Sequence, residues 1–172
     1  MPVPNISAPQ LRQLYAYWYE RRGNRSYPCR ADFDPIDLRF ILGNLILVDV
    51  LGGEPPRFRV RLHGSNLSRR HGYELTGKML DELPVSEQRD LAHRSFTSVA
   101  QSGIPLHAHR DLWLNNRRVR YETIVLPLSS DGTAIDMLLV GLIHPDQPLD
   151  DLPALAMPSG KVPTEEWVSR SR

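Results

Sequence analysis

The stretch LHAHRDLWLNNRRVRYETIVLPLSSDGTAIDMLLVGLI, residues 106–143, decides the fold. It holds three strand-like runs, Leu106 to Leu114, Val119 to Leu128 and Ala134 to Ile143, each rich in branched or aromatic side chains. Asn115-Asn116 and Ser129-Ser130-Asp131-Gly132 join them. These residue types tolerate positive φ and bond their own backbone, so both joins read as hairpin turns and the three runs as neighbouring antiparallel strands.

Working back from this hairpin block, a helix is predicted from Ser86 to a stop at Gly103. Leu91, Ala92, Ser95, Phe96, Val99 and Ala100 form one small-to-apolar stripe on it, and Ser86 is placed as its cap. Between Ser65 and Leu83, Gly72 and Gly77 break the pattern into one or two brief helices. Before that, Phe58, Val60 and Leu62 alternate with Arg57, Arg59 and Arg61, the period-2 signature of a strand with one wet face. Leu45 to Leu51 is apolar apart from Asp49 and ends at the ladder-breaking loop Gly52-Gly53-Glu54-Pro55-Pro56. A short helix is predicted over residues 38–42, after the turn-rich passage containing Pro28 and Pro35.

At the N-terminus, Ser7 with Gln10 three residues on and Pro9 in the first turn mark a helix start. Leu11, Leu14, Tyr15 and Trp18 then follow helical spacing up to Gly23. The expected organisation is an amphipathic helix and lead-in over residues 1–27, a folded domain over 28–144 and an extended, proline-rich tail over 145–172. Two early strands and three late ones around the middle helices predict an α+β fold. It has a five-stranded antiparallel sheet with helices on one face, and an apolar concavity between them.

With that order of elements, several spaced motifs agree. They are Tyr17-Trp18, Arg22-Gly23, the run Pro28-Cys29-Arg30-Ala31-Asp32-Phe33-Asp34-Pro35, the run from Phe58 to Gly64, and Gly72-Tyr73-Glu74-Leu75-Thr76-Gly77. Together they resemble the stand-alone PAS proteins common in alphaproteobacteria, over about Leu11 to Ile143. The resemblance implies a PAS fold and a role in signalling or regulation, frequently without an attached output domain. It names no ligand or cofactor. It carries Trp18, Arg30, Asp32, Asp34, Pro35, Arg61, Gly64, Gly72, Thr76 and Gly77 onto this chain as fold-defining positions. His63 departs from it, standing where a smaller or apolar residue is expected, so the pocket rim differs here.

Composition narrows the function. Hydrophobic residues make up 41% and the formal net charge is +1, so a sizeable core is available and no global field recruits nucleic acid or an acidic membrane. The apolar runs fall far short of the roughly 20 residues that cross a bilayer. Cys29 is the only cysteine, which excludes an intrachain disulfide and fits a reducing, cytoplasmic setting. No nucleophile elbow or phosphate-cradling glycine loop occurs, so a non-enzymatic role is expected.

The expected ligand pocket is lined by Val60, Leu62, Leu67, Tyr73, Phe96, Val99, Tyr121, Met137 and Leu139. The expected dimer or partner face is Leu11, Leu14, Tyr15 and Trp18, coverable by the chain's own sheet or by a second copy. Small-molecule and protein partners are thus both anticipated. Nucleic acid is disfavoured, because the basic strands around Arg57 to Arg61 and Arg117 to Arg120 lack interleaved aromatics and Asp111 and Glu122 offset them.

His107 and His109 share a strand face but lack a third ligand at any fixed spacing, so a solvated face is expected and no metal. His93 lies on the helix that supplies the axial ligand in haem-carrying PAS domains, but a boundary histidine is the simpler account. Asp32, Asp34 and Asp37 lack calcium-loop spacing and suit turns and helix caps, with Asp32 or Asp34 alternatively pairing with Arg30 or Arg22 to pin the N-terminal helix. Two rival classes are an isomerase-like cone using a buried Asp49 or Asp136 as base and an interaction adaptor with a filled core.

Overall fold

The computed structural model describes residues 5–114 and 117–145. The Asn115-Asn116 turn and the tail from residue 146 lie outside the described residues. Helix α1 (Pro9–Arg22) comes first, followed by strands β1 (Leu45–Leu51) and β2 (Arg57–His63). Helices α2 (Ser65–His71) and α3 (Ser86–Ser102) separate these from β3 (Leu106–Leu114), β4 (Arg117–Leu128) and β5 (Met137–Ile143). Over residues 38–44 the chain forms turns and a 3-10 turn at Leu42–Asn44, in place of the short helix expected there. The last strand starts three residues later than its composition suggests. Residues 131–136 are occupied by an Asp131-centred turn whose carboxylate accepts the amides of Thr133 and Ala134.

All pairings are antiparallel, and the order β2-β1-β5-β4-β3 closes one five-stranded sheet with the early strands at one end and the late strands at the other. Central strand β5 is buried on both faces, which explains its unbroken apolar run. Pro127, which has no N–H, sits on β4 beyond the last β3 partner, where no ladder bond is lost on that side.

The two faces carry separate cores. Leu11, Leu14, Tyr15 and Trp18 of α1 pack with Leu45, Leu47, Ile124, Leu126, Leu128 and Leu139 on one face. Val48, Phe58, Val60, Val125, Leu138 and Val140 on the other pack with Phe96 and Val99 of α3. We call the first the α1 face and the second the concave face. Trp18 donates its indole N–H to the Pro127 carbonyl at 2.9 Å, anchoring the buried ring. Gly141 lets α1 lie close, because a Cβ there would stand 2.7 and 2.8 Å from methyl carbons of Leu11 and Leu14.

The start of α1 is not capped by Ser7. Its N-cap is Ala8, and the carboxylate of Glu122 on β4 accepts the amides of Ser7 (2.7 Å) and Ala8 (2.8 Å). A buried carboxylate from across the chain thus holds the two amides just ahead of the helix, and no side chain caps its first turn. In α3, similarly, the N-cap is Val85 and Ser86 is already helical, while Gly103 ends the helix in the left-handed region at φ 66°.

Candidate functional site

A cavity of about 90 Å³ lies between the concave face and α3. Its walls are mostly apolar, with Val60, Leu75, Leu80, Leu83, Phe96 and Val140 among them. One pole is different. His63 from β2, His71 from α2, Tyr73, Tyr121 from β4 and His144 gather there as a cluster of rings. His71 stacks on Tyr73 with centroids 5.3 Å apart and on His63 at 5.6 Å. His144 stands edge-on to His71 at 6.2 Å and tilted to Tyr121 at 5.6 Å.

Three ring nitrogens in this cluster, Nε2 of His63 and Nδ1 of both His71 and His144, are buried with no hydrogen-bond partner among the described residues. Nδ1 of His63 lies 3.4 Å from the Leu75 amide and 3.5 Å from the Glu74 carboxylate, while its Nε2 is the unpartnered nitrogen. Burial lowers the pKa of His63, with Glu74 opposing it. His71 is pushed down to about 3 by burial and by the charges of His63 and Arg70. His144 is pushed down to about 3 by burial, Arg70 and His71. Burial also raises the Tyr73 and Tyr121 hydroxyls. The cluster is therefore neutral near pH 7, and each imidazole offers one donor and one acceptor. Arg110 adds a guanidinium at the wall and donates to the Ser95 hydroxyl at 3.2 Å.

Of the residues expected to line the pocket, the structure places Val60, Tyr73, Phe96 and Tyr121 at this cavity. Leu62 and Leu139 instead line a second, apolar groove of about 330 Å³ on the α1 face, with Phe33, Leu38 and Leu45. Two strand details explain the difference. Leu47 pairs with Leu62 but Val48 pairs with Val60, so Arg61 is the extra residue of a β-bulge. The bulge turns Leu62 to the α1 face and brings His63 into the cavity. On β5 the apolar run hides its phase: Met137 and Leu139 face α1, while Leu138 and Val140 belong to the concave core. Leu67 and Val99 are fully buried but do not line the cavity.

Leu11, Leu14, Tyr15 and Trp18, expected as a dimer or partner face, are buried against the chain's own sheet. Neither candidate base faces the cavity. Asp49 is buried on the α1 face and accepts from Arg59 (2.8 Å) and Arg61 (2.7 Å). Asp136 accepts from the Ser130 amide and hydroxyl in an exposed turn. His93 is not at the cavity; its Nε2 lies 2.7 Å from Asp81. Asp32 pairs at 2.6 Å with Arg25, beyond the end of α1, in place of Arg22 or Arg30, and the acid that meets α1 itself is Asp37, through Arg21 and Tyr17. On the basic strands Asp111 pairs with Arg118, whereas Glu122, on the same face, is engaged by the amides of Ser7 and Ala8 and by His107.

His107 and His109 acquire the third donor their spacing did not supply. Glu122 is the direct cross-strand neighbour of His109, and its Oε1 lies 2.7 Å from His107 Nε2 and 3.7 Å from His109 Nε2. Only the β3–β4 register could have revealed this.

A single antiparallel sheet with a helix on each side and a small cavity under one of them defines an α+β architecture. The chain belongs to the PAS domain family, whose sequence profile matches residues 6–144. It is similar to the PAS domain of Bordetella pertussis BvgS, at 17% identity over 65% of this chain and 85% of that one, with a TM-score of 0.50. It is also similar to a Rhodobacter sphaeroides LOV protein, at 16% identity over 80% of this chain and 68% of that one, with a TM-score of 0.46. No curated protein matches the chain.

Proposed function

We propose that this PAS domain is a sensory or regulatory module that takes a compact small molecule into the cavity beneath α3 and passes the occupancy on to a protein partner in the cytoplasm. One observation carries the proposal: three buried imidazole nitrogens without partners among the described residues belong to rings gathered at one pole of an otherwise apolar space. A buried polar atom left unpaired costs about 1–3 kcal/mol, so three together favour an occupant that bonds to them. The volume suits a few waters or one compact organic molecule. Such a molecule presents hydrogen-bonding groups at one end, toward the imidazoles and Arg110, and an apolar body toward Phe96 and Val140.

The test is native mass spectrometry of the freshly purified full chain, with the cavity-filling variant Ala92→Phe alongside it. A non-covalent organic adduct on the wild type that is absent from the variant supports the proposal. If no adduct appears, and no fragment from a panel of small acids, alcohols and azoles raises the wild-type melting temperature above the variant's, the proposal is rejected.

A further inference from the structure

Away from the cavity, on the opposite face of the sheet, three side chains have the character of a ligand set. His107 and His109 alternate on edge strand β3, so both rings project to the α1 face, and Glu122 on neighbouring β4 stands directly across from His109. One donor atom from each lies within 4.8 Å of the other two. We propose that His107, His109 and Glu122 bind a single divalent first-row transition ion, with zinc as the best match, where the sheet edge meets the start of α1.

The chemistry of the donors points this way. Two neutral imidazoles and one carboxylate form the kind of set that zinc and its neighbours accept, with metal–donor bonds of about 2.0–2.2 Å. Tetrahedral placement at that radius sets donors about 3.4 Å apart. The observed gaps from Glu122 Oε1, 2.7 Å to His107 and 3.7 Å to His109, straddle that spacing, and all three donor atoms lie within 4.8 Å of one another.

The carboxylate is already oriented. Glu122 is buried, and the amides of Ser7 and Ala8 hold its two oxygens, the outer-sphere support that fixes a ligand's direction. The ion would displace only the His107 bond, since Oε1 keeps its second lone pair for Ser7, and His107 would carry its proton on Nδ1 instead. The His107 side chain is 12% exposed and that of His109 60%, so the fourth position opens to solvent. Because the same carboxylate holds the amides of Ser7 and Ala8 just ahead of α1, an ion here would tie the helix start to the sheet edge.

The full chain is titrated with Zn²⁺ by calorimetry and with Co²⁺ by visible absorption. The expected result is one ion per chain, with a cobalt d–d band of four- or five-coordinate intensity. His109→Ala, an exposed position whose loss leaves the core untouched, should weaken binding by more than about 100-fold, beyond the 10- to 100-fold typical of outer-sphere changes. His93→Ala should bind as wild type. Occupancy should also slow hydrogen exchange at the amides of Ser7 and Ala8. Equal binding by wild type and His109→Ala, or no saturable site at one equivalent, overturns the proposal and leaves His107–Glu122 as a structural hydrogen bond.

Discussion

Acidification from pH 7.5 to 5 tests the histidine cluster directly. In the folded protein His71 and His144 titrate near 3, whereas in the unfolded chain they titrate near 6.5. Both folded values lie below the unfolded ones, so the unfolded chain binds the extra protons between them. Stability contributed by the neutral buried rings is complete above about pH 6.5 and is lost as pH falls toward 3. At pH 5 the loss is about 1.4 kcal/mol for each of 1.5 pH units, roughly 2 kcal/mol per histidine and about 4 kcal/mol for the pair. Against a domain stability of about 5–15 kcal/mol this is a large fraction. His63 acts in the same direction.

The carboxylates held low, such as Glu74 and Asp131, lose their contribution only as pH falls through the ordinary carboxylate range, outside this window. Urea unfolding followed by tryptophan fluorescence at half-unit pH steps reads the slope. The double variant His71→Phe/His144→Phe, which keeps ring volume, should flatten most of it. A wild-type midpoint unchanged between pH 7.5 and 5, or an equal slope in the double variant, would refute the burial of neutral imidazoles.

Three further outcomes are expected. Gly141→Ala places a methyl against Leu11 and Leu14 and should cost about 1–3 kcal/mol in urea unfolding, relieved by pairing it with Leu11→Ala. Trp18→Phe leaves the Pro127 carbonyl without its donor and should cost about 1–3 kcal/mol, read as a lower thermal midpoint. Asp49→Asn weakens acceptance from two half-exposed arginines and should lower stability by about 1–2 kcal/mol; a silent substitution would show the Arg59 and Arg61 contacts to be energetically idle.

The fold was legible because each element declared itself locally. Hairpin residues separated the late runs, Arg57, Arg59 and Arg61 marked a wet strand face, and Gly103 ended α3 where its stripe stopped. Much of the site was not legible, for reasons that lie between elements. A single bulge residue, Arg61, moved His63 into the cavity and Leu62 out of it. β5 gave no phase, because a strand covered on both sides needs no polar face. His71 and His144 looked scattered, since no spacing links a residue after the second strand with one after the last. Glu122 revealed neither of its roles, as acceptor for the amides ahead of α1 and as neighbour of two histidines, because both depend on contacts more than a dozen residues away.

Strand β5 has one more implication. Val140 borders the cavity, and its neighbour Gly141 has the methyls of Leu11 and Leu14 of α1 where a Cβ would stand on the other side. The partition between guest and helix is therefore one polypeptide thick. Any swelling of that wall arrives beneath Leu11 and Leu14 at once, with no intervening layer of side chains to absorb it.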